Sequence, residues 1–122
     1  MRRSVLLTLV ILLLAMCVRL VSPPRVAAAS SGKIIYSFSG GADGAYPESD
    51  VIVDVAGNLY GTTSEGGAAG FGTVFELIRG KDGWKHQVLY NFAGGPNDGA
   101  DPKAGLVFDS AGNLYGTTAR GG

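Results

Sequence analysis

Apolar and polar residues follow two different patterns along the chain. From Val5 to Val18 the residues are almost continuously apolar, with Thr8 the one hydroxyl, behind a basic Met1-Arg2-Arg3. Arg19 and Pro23-Pro24 close the run, and Ala27-Ala28-Ala29 supplies the small side chains that a signal peptidase accepts. This order predicts a secretory signal peptide over residues 1–29, an N-terminal hydrophobic helix cleaved after Ala29. The run falls short of the ~20 residues that span a bilayer comfortably. An uncleaved signal anchor is the alternative, because Arg19–Arg25 is long for the segment that precedes a cleavage site. Leu14-Ala15-Met16-Cys17 has the outline of a lipobox but puts Met16 where a small residue is needed, and Arg2-Arg3 does not continue into a twin-arginine pattern.

After residue 30 the apolar positions come in short runs. Val51–Val55 (VIVDV) is nearly continuous, which predicts a strand buried on both faces. Asn58–Thr63 (NLYGTT) follows after a tight turn, and Gly72–Arg79 (GTVFELIR) is a third strand. Trp84–Phe92 (WKHQVLYNF) alternates. Trp84, His86, Val88, Tyr90 and Phe92 fall on one face and Lys85, Gln87 and Asn91 on the other, as in a half-exposed strand. Turn residues mark each break, at Ala56-Gly57, Gly66–Gly70 and Gly80–Gly83. No amphipathic helix is predicted after Ala29.

The pattern repeats. Tyr36–Gly67 laid over Tyr90–Gly122, with one gap at Pro96, gives 19 identities in 32 columns, including GNLYGTT at both Gly57–Thr63 and Gly112–Thr118. Residues 30–122 thus divide into one unit at about 36–89 and a partial second at about 90–122. Four short strands per unit, repeated head to tail, predict an all-β fold of β-propeller-like blades, about one and a half of them. The apolar run would be the inner strand and the alternating one the outer edge. Two partial blades leave edges and apolar faces open, so the chain is expected to be a fragment or the start of a longer reading frame.

Composition sharpens this picture. The whole chain has a net charge of zero, but Arg2, Arg3, Arg19 and Arg25 all precede the cleavage point. The remainder holds six basic residues against ten acidic, a poor match for nucleic acid or an anionic membrane. Cys17 would also leave, so the mature chain has neither disulfide nor thiol chemistry. All 20 glycines follow residue 29 without a Gly-X-Y period, together with all the aromatics, which argues for strands and tight turns.

Several side chains are candidates for chemistry. Asp54 and Asp109 could be repeated oxygen ligands for calcium. Against that, an Asp before Gly57-Asn58 or Gly112-Asn113 is also turn chemistry, with the glycine taking the positive φ. Asp54, Gly57, Asn58, Asp109, Gly112 and Asn113 are therefore assigned as repeat-defining turn residues. Asp43-Gly44 and Asn97–Asp101 offer oxygens but no downstream Glu at EF-hand spacing, and read as loops solvated by water. Thr62-Thr63 and Thr117-Thr118 could bond a sugar from a repeated surface, or simply suit strands. Trp84, Tyr60 and Tyr115 could stack on sugar rings, or belong to the core. His86, the one histidine, cannot make a zinc site alone and is expected to be partly buried and structural. Glu48 and Asp50 lie in a proline-containing loop with nothing to desolvate them. G-x-S-x-G, H-E-x-x-H and P-loop patterns are absent from the sequence. No catalytic residue, cofactor or metal is assigned.

The stretch GNLYGTTSEGGAAGFGTVFEL (Gly57–Leu77), followed by LYNFAGG and DGADPKAGLVFDSAGNLYGTT, resembles the Gloeo-Verruco (GloVer) tandem repeat of bacterial exported proteins. The resemblance covers about Ile34 to Gly122. It implies secretion, tandem arrays and a C-terminal sorting or anchoring segment that differs between members; it implies no activity. A more general similarity is to propeller repeats with a V-x-D-x-x-G-N-L-Y turn, here Val107–Tyr115, with Val53–Tyr60 keeping the D-x-x-G-N-L-Y part but placing Val53 directly before Asp54. The expected function is an exported binding or structural module at the cell surface or outside the cell. The expected partners are neighbouring repeat units or a second copy through open blade edges, with a glycan or cell-surface protein as a further candidate. No nucleic acid is expected, and no membrane after cleavage. The alternative is a fragment of a propeller-type enzyme acting on polysaccharide, which ranks second.

Overall fold

β-Branched and aromatic residues bounded by glycine turns form strands, and the computed structural model, which describes residues 31–122, is all-β with no helix among them. The expected signal peptide and its helix lie outside the described residues. Repeat one forms a four-stranded antiparallel sheet in sequence order, with β1 at Ile52–Val53, β2 at Leu59–Thr63, β3 at Thr73–Arg79 and β4 at Trp84–Asn91. The β1–β2 turn is a three-residue loop closed by Asp54 N–H donating to the Asn58 carbonyl at 3.0 Å, with Gly57 at φ 86°. A left-handed residue at the end of such a loop lets the twist of the two strands match, and glycine adopts it without a Cβ clash.

Repeat two holds the matching pieces as two-residue strands: β5 at Gly99–Ala100, β6 at Val107–Phe108, β7 at Leu114–Tyr115 and β8 at Arg120–Gly121. β6 pairs with β7 through Val107↔Tyr115 and Phe108↔Leu114, the same register as Ile52↔Tyr60 and Val53↔Leu59. β5 pairs with β8, as the isolated bridge Ala45↔Glu65 does in repeat one. The backbone repeats even where the side chains differ: Tyr46 (φ 57°) and Asp101 (φ 55°) hold equivalent positions and are the two non-glycine residues with positive φ among those described.

Directly paired residues share a face of the sheet. Gly61, Phe75 and Leu77, with His86, lie on one face, and Phe75 and Leu77 are buried there. Tyr36 and Phe38 cover this face, with the Phe38 ring 4.9 Å from Phe75 in an edge-on contact. Tyr60, Thr62 and Val74 lie on the other face and meet repeat two: Tyr60 packs edge-on to Phe108 at 5.1 Å, and Thr62 Oγ1 donates to the Ala104 carbonyl.

Two expectations need correction. Val51–Val55 is not a strand buried on both faces. It contributes only Ile52 and Val53 to the edge of the sheet, with Val53 61% exposed and Val51 and Val55 also exposed. β1 has a partner on one side only. The strict alternation of Trp84–Phe92 also fails. A bulge between Val74 and Phe75 pairs Val88 with Phe75 but Tyr90 with Val74. The extra residue, Leu89, turns Tyr90 to the face opposite Val88 and His86.

Candidate functional site

The repeated acids are held by the chain's own donors. Asp54 Oδ1 accepts from Ala56 N–H and Asn58 N–H, both at 2.9 Å, and Oδ2 accepts from Asn58 Nδ2 and Tyr60 Oη, both at 3.0 Å. Asp109 repeats this with Ala111, Asn113 and Tyr115 at 2.8–2.9 Å. These bonds favour the carboxylate form. Asn58 and its neighbours hold Asp54 below the ordinary carboxylate range, and the Asn113 amide lowers Asp109 to about 2. Gly57 and Gly112 sit at φ 86° and 83°. Each carboxylate bonds across its own loop and leaves little capacity for a cation.

Asp43 and Asp98 also repeat, and each is hydrogen-bonded within its own solvent-accessible loop. Asp43 accepts from Ser39 N–H, the Ser39 hydroxyl and Tyr36 Oη, which together hold it at about 2. Asp98 accepts from Ala93 N–H, Gly99 N–H and Tyr90 Oη, and it too lies below the ordinary value. The tyrosine–aspartate pairing could have been found in the sequence, because Tyr36/Tyr90 and Asp43/Asp98 recur at nearly the same separation. The remaining donors include backbone N–H groups of Ser39, Ala93 and Gly99, which carry no sequence signature. Among the described residues no three His, Cys, Asp or Glu side chains group as they would around a metal ion.

The threonine pairs do not form one repeated sugar-facing surface. Thr62 is 2% exposed and Thr63 fully buried; their hydroxyls meet Ser49 and Thr73 at 3.0 and 2.8 Å. Thr117 is exposed and Thr118 half-buried. His86 stacks on Tyr36 at 4.5 Å and beside Phe75 at 5.8 Å, with a buried Nε2 that has no hydrogen-bond partner. Burial pushes its pKa down, partly offset by the Asp43 charge. Tyr60 Oη lies between Asp54 and Glu76, and burial together with these acids raises its pKa, so the phenol stays a donor.

A mostly apolar cavity of about 530 Å³ lies between the second face of the sheet (Thr62, Val74, Tyr90) and repeat two (Leu106, Leu114, Gly116). It contains no cluster of ionisable groups. The geometry thus presents a repeated, internally satisfied scaffold and one apolar recess at the junction of the repeats. A model of the Gloeobacter/Verrucomicrobia repeat matches residues 25–122. No curated protein and no solved structure matches the chain. With the match running over both repeats and their shared turn geometry, the chain belongs to the Gloeobacter/Verrucomicrobia repeat family.

Proposed function

We propose that the chain is an exported repeat protein whose propeller-like repeats form a binding or structural module at the cell surface or outside the cell. The observation that carries this reading is the packing of one repeat on the next, with Tyr60 of the sheet against Phe108 of the following repeat. Such units stabilise one another through like faces, and a stack of them offers an extended surface. The saturation of Asp43, Asp54, Asp98 and Asp109 supports a scaffold role over acid–base catalysis, because a carboxylate held low by several donors is a weak base at neutral pH. Glycans and cell-surface proteins are the partners to probe.

Expression of the full chain in a bacterium, with fractionation and N-terminal sequencing of the product, tests the export reading. The expected product lies outside the cytoplasm and begins at Ser30; retention in the cytoplasm contradicts it. The same product on a glycan array and in polysaccharide digests tests the module reading. Turnover of a polysaccharide would replace it with an enzyme.

A further inference from the structure

Residues 31–122 hold six lysines and arginines against ten acids, and the fold gathers four of the six at one end of the repeat-one sheet. Arg79 ends β3, and Lys85 follows Trp84 at the start of β4. Lys81 and Asp82 form the hairpin tip between them, closed by Gly80 N–H donating to the Gly83 carbonyl at 2.8 Å. Lys33 comes from elsewhere in the sequence. Tyr36 stacks on His86 at 4.5 Å, and His86 shares a face of β4 with Trp84, so the residues before Tyr36 reach the hairpin end.

Two open recesses of about 370 Å³ each flank the tip and share Trp84. Lys33 and Arg79 line one, Lys85 lines the other, and Lys81 and Asp82 line both. The Arg79 side chain lies over the β1–β2 turn, where a Cβ on Gly57 would come 3.7 Å from its Cδ. The acid of that turn, Asp54, is taken up by Ala56, Asn58 and Tyr60. Among the described residues none of the four cations makes an ion pair; Arg120 and Asp101 form the one pair there. The acidic sum over the chain does not describe this end. The field at the tip is set by charges within a Debye length, roughly 10 Å at moderate ionic strength. Four clustered cations repel one another, and a bound anion relieves that repulsion.

We propose that this hairpin end binds acidic polysaccharide, with a sugar ring packed on Trp84 and its carboxylate or sulfate group held by the cations of the tip. The C–H face of a pyranose is apolar and packs on the half-buried indole. The Arg79 guanidinium presents a planar fork that matches two oxygens of a carboxylate or sulfate, and the lysines act as movable point charges beside it. Asp82, the one acid lining the recesses, can accept from sugar hydroxyls. Recesses on both sides of Trp84 suit successive units of a polymer. A nucleic acid fits less well, because binding along a phosphate backbone needs a track of cations. Beyond the tip the described chain holds only Lys103 and Arg120, and Arg120 is paired with Asp101. This assignment rests on the binding-module reading above and names its ligand class and site; it does not require export.

Trp84 is the one tryptophan of the chain, so its fluorescence reports the site directly. The test titrates the full chain at low salt with polygalacturonate and with dextran sulfate, and with unmodified dextran as the uncharged control. The expected result is a saturable change in Trp84 emission with at least one of the acidic polymers and none with dextran. The double variant Lys81→Gln/Lys85→Gln, at two exposed positions, should bind about tenfold more weakly, and Lys103→Gln should bind as the parent does. No emission change with either acidic polymer, equal binding of dextran, equal weakening by Lys103→Gln, or tighter binding of single-stranded DNA or of phosphatidylglycerol vesicles would each overturn the assignment. The Trp84 signal judges this site, and digestion of either polymer, followed as new reducing ends, judges the module reading, so the two failures are read separately.

Discussion

Gly61 lies directly beneath Phe75: a Cβ on Gly61 would come 2.7 Å from the ring's Cζ and 3.1 Å from Cε1. At the equivalent Gly116 a Cβ would meet only Leu106 Cδ2, the far end of a flexible side chain. Gly61→Ala should therefore destabilise the fold by about 1–3 kcal/mol through overpacking, and Gly116→Ala by clearly less. Urea midpoints of the two variants check this; equal losses would show that the ring is not packed on Gly61.

Tyr60 ties its hairpin to the neighbouring strand, because its hydroxyl reaches both Asp54 and Glu76. Tyr115 reaches only Asp109, within its own loop. Tyr60→Phe should cost about 1 kcal/mol and Tyr115→Phe less, measured by denaturation of the full chain. A larger loss at Tyr115 would reverse the account of these networks.

Acid should unfold the protein through its saturated aspartates. Asp43 and Asp109 are held at about 2, and Asp54 and Asp98 also lie below the ordinary value. The unfolded chain then takes up protons first, as pH falls through about 4. The stabilisation is complete above that pH and is lost as pH falls towards about 2. Asp43→Asn should lower stability at neutral pH and flatten this decline. An unchanged slope would contradict the assignment.

His86 adds an earlier step with the same sign. Burial depresses its folded pKa, so the unfolded imidazole protonates first and stability begins to fall as pH drops through about 6.5. His86→Phe removes the unpartnered Nε2 and can keep the stacking on Tyr36. The variant should lose the shallow decline between pH 7 and 5 while keeping the acid limb below 4. A decline that persists in the variant would assign it to another group.

Much of the fold was legible because the repeat registered residue types that strands and turns need. The strands at 59–63, 73–79 and 84–91 lie within the segments that periodicity marked out. Two features were not legible. Whether Val51–Val55 is covered depends on what lies against it, and hydrophobicity alone reports only that it could be buried. The bulge at Leu89 depends on pairing with β3, and a lone strand's alternation carries no sign of it. At the candidate site, the aspartates and glycines of the GNLYGTT turn were visible as residue types. The Ser39, Ala93 and Gly99 backbone donors that hold Asp43 and Asp98 were not, because every residue other than proline carries the same N–H.

One sequence, GNLYGTT, sits differently in its two copies: among the described residues the first has a strand on both sides and the second on one. Amide hydrogen exchange on the full chain tests it most directly, since protection reports local hydrogen bonding and burial and the two copies share intrinsic chemistry. Gly61–Thr63 should exchange slowly and Gly116–Thr118 quickly. Equal protection at both copies would contradict the account.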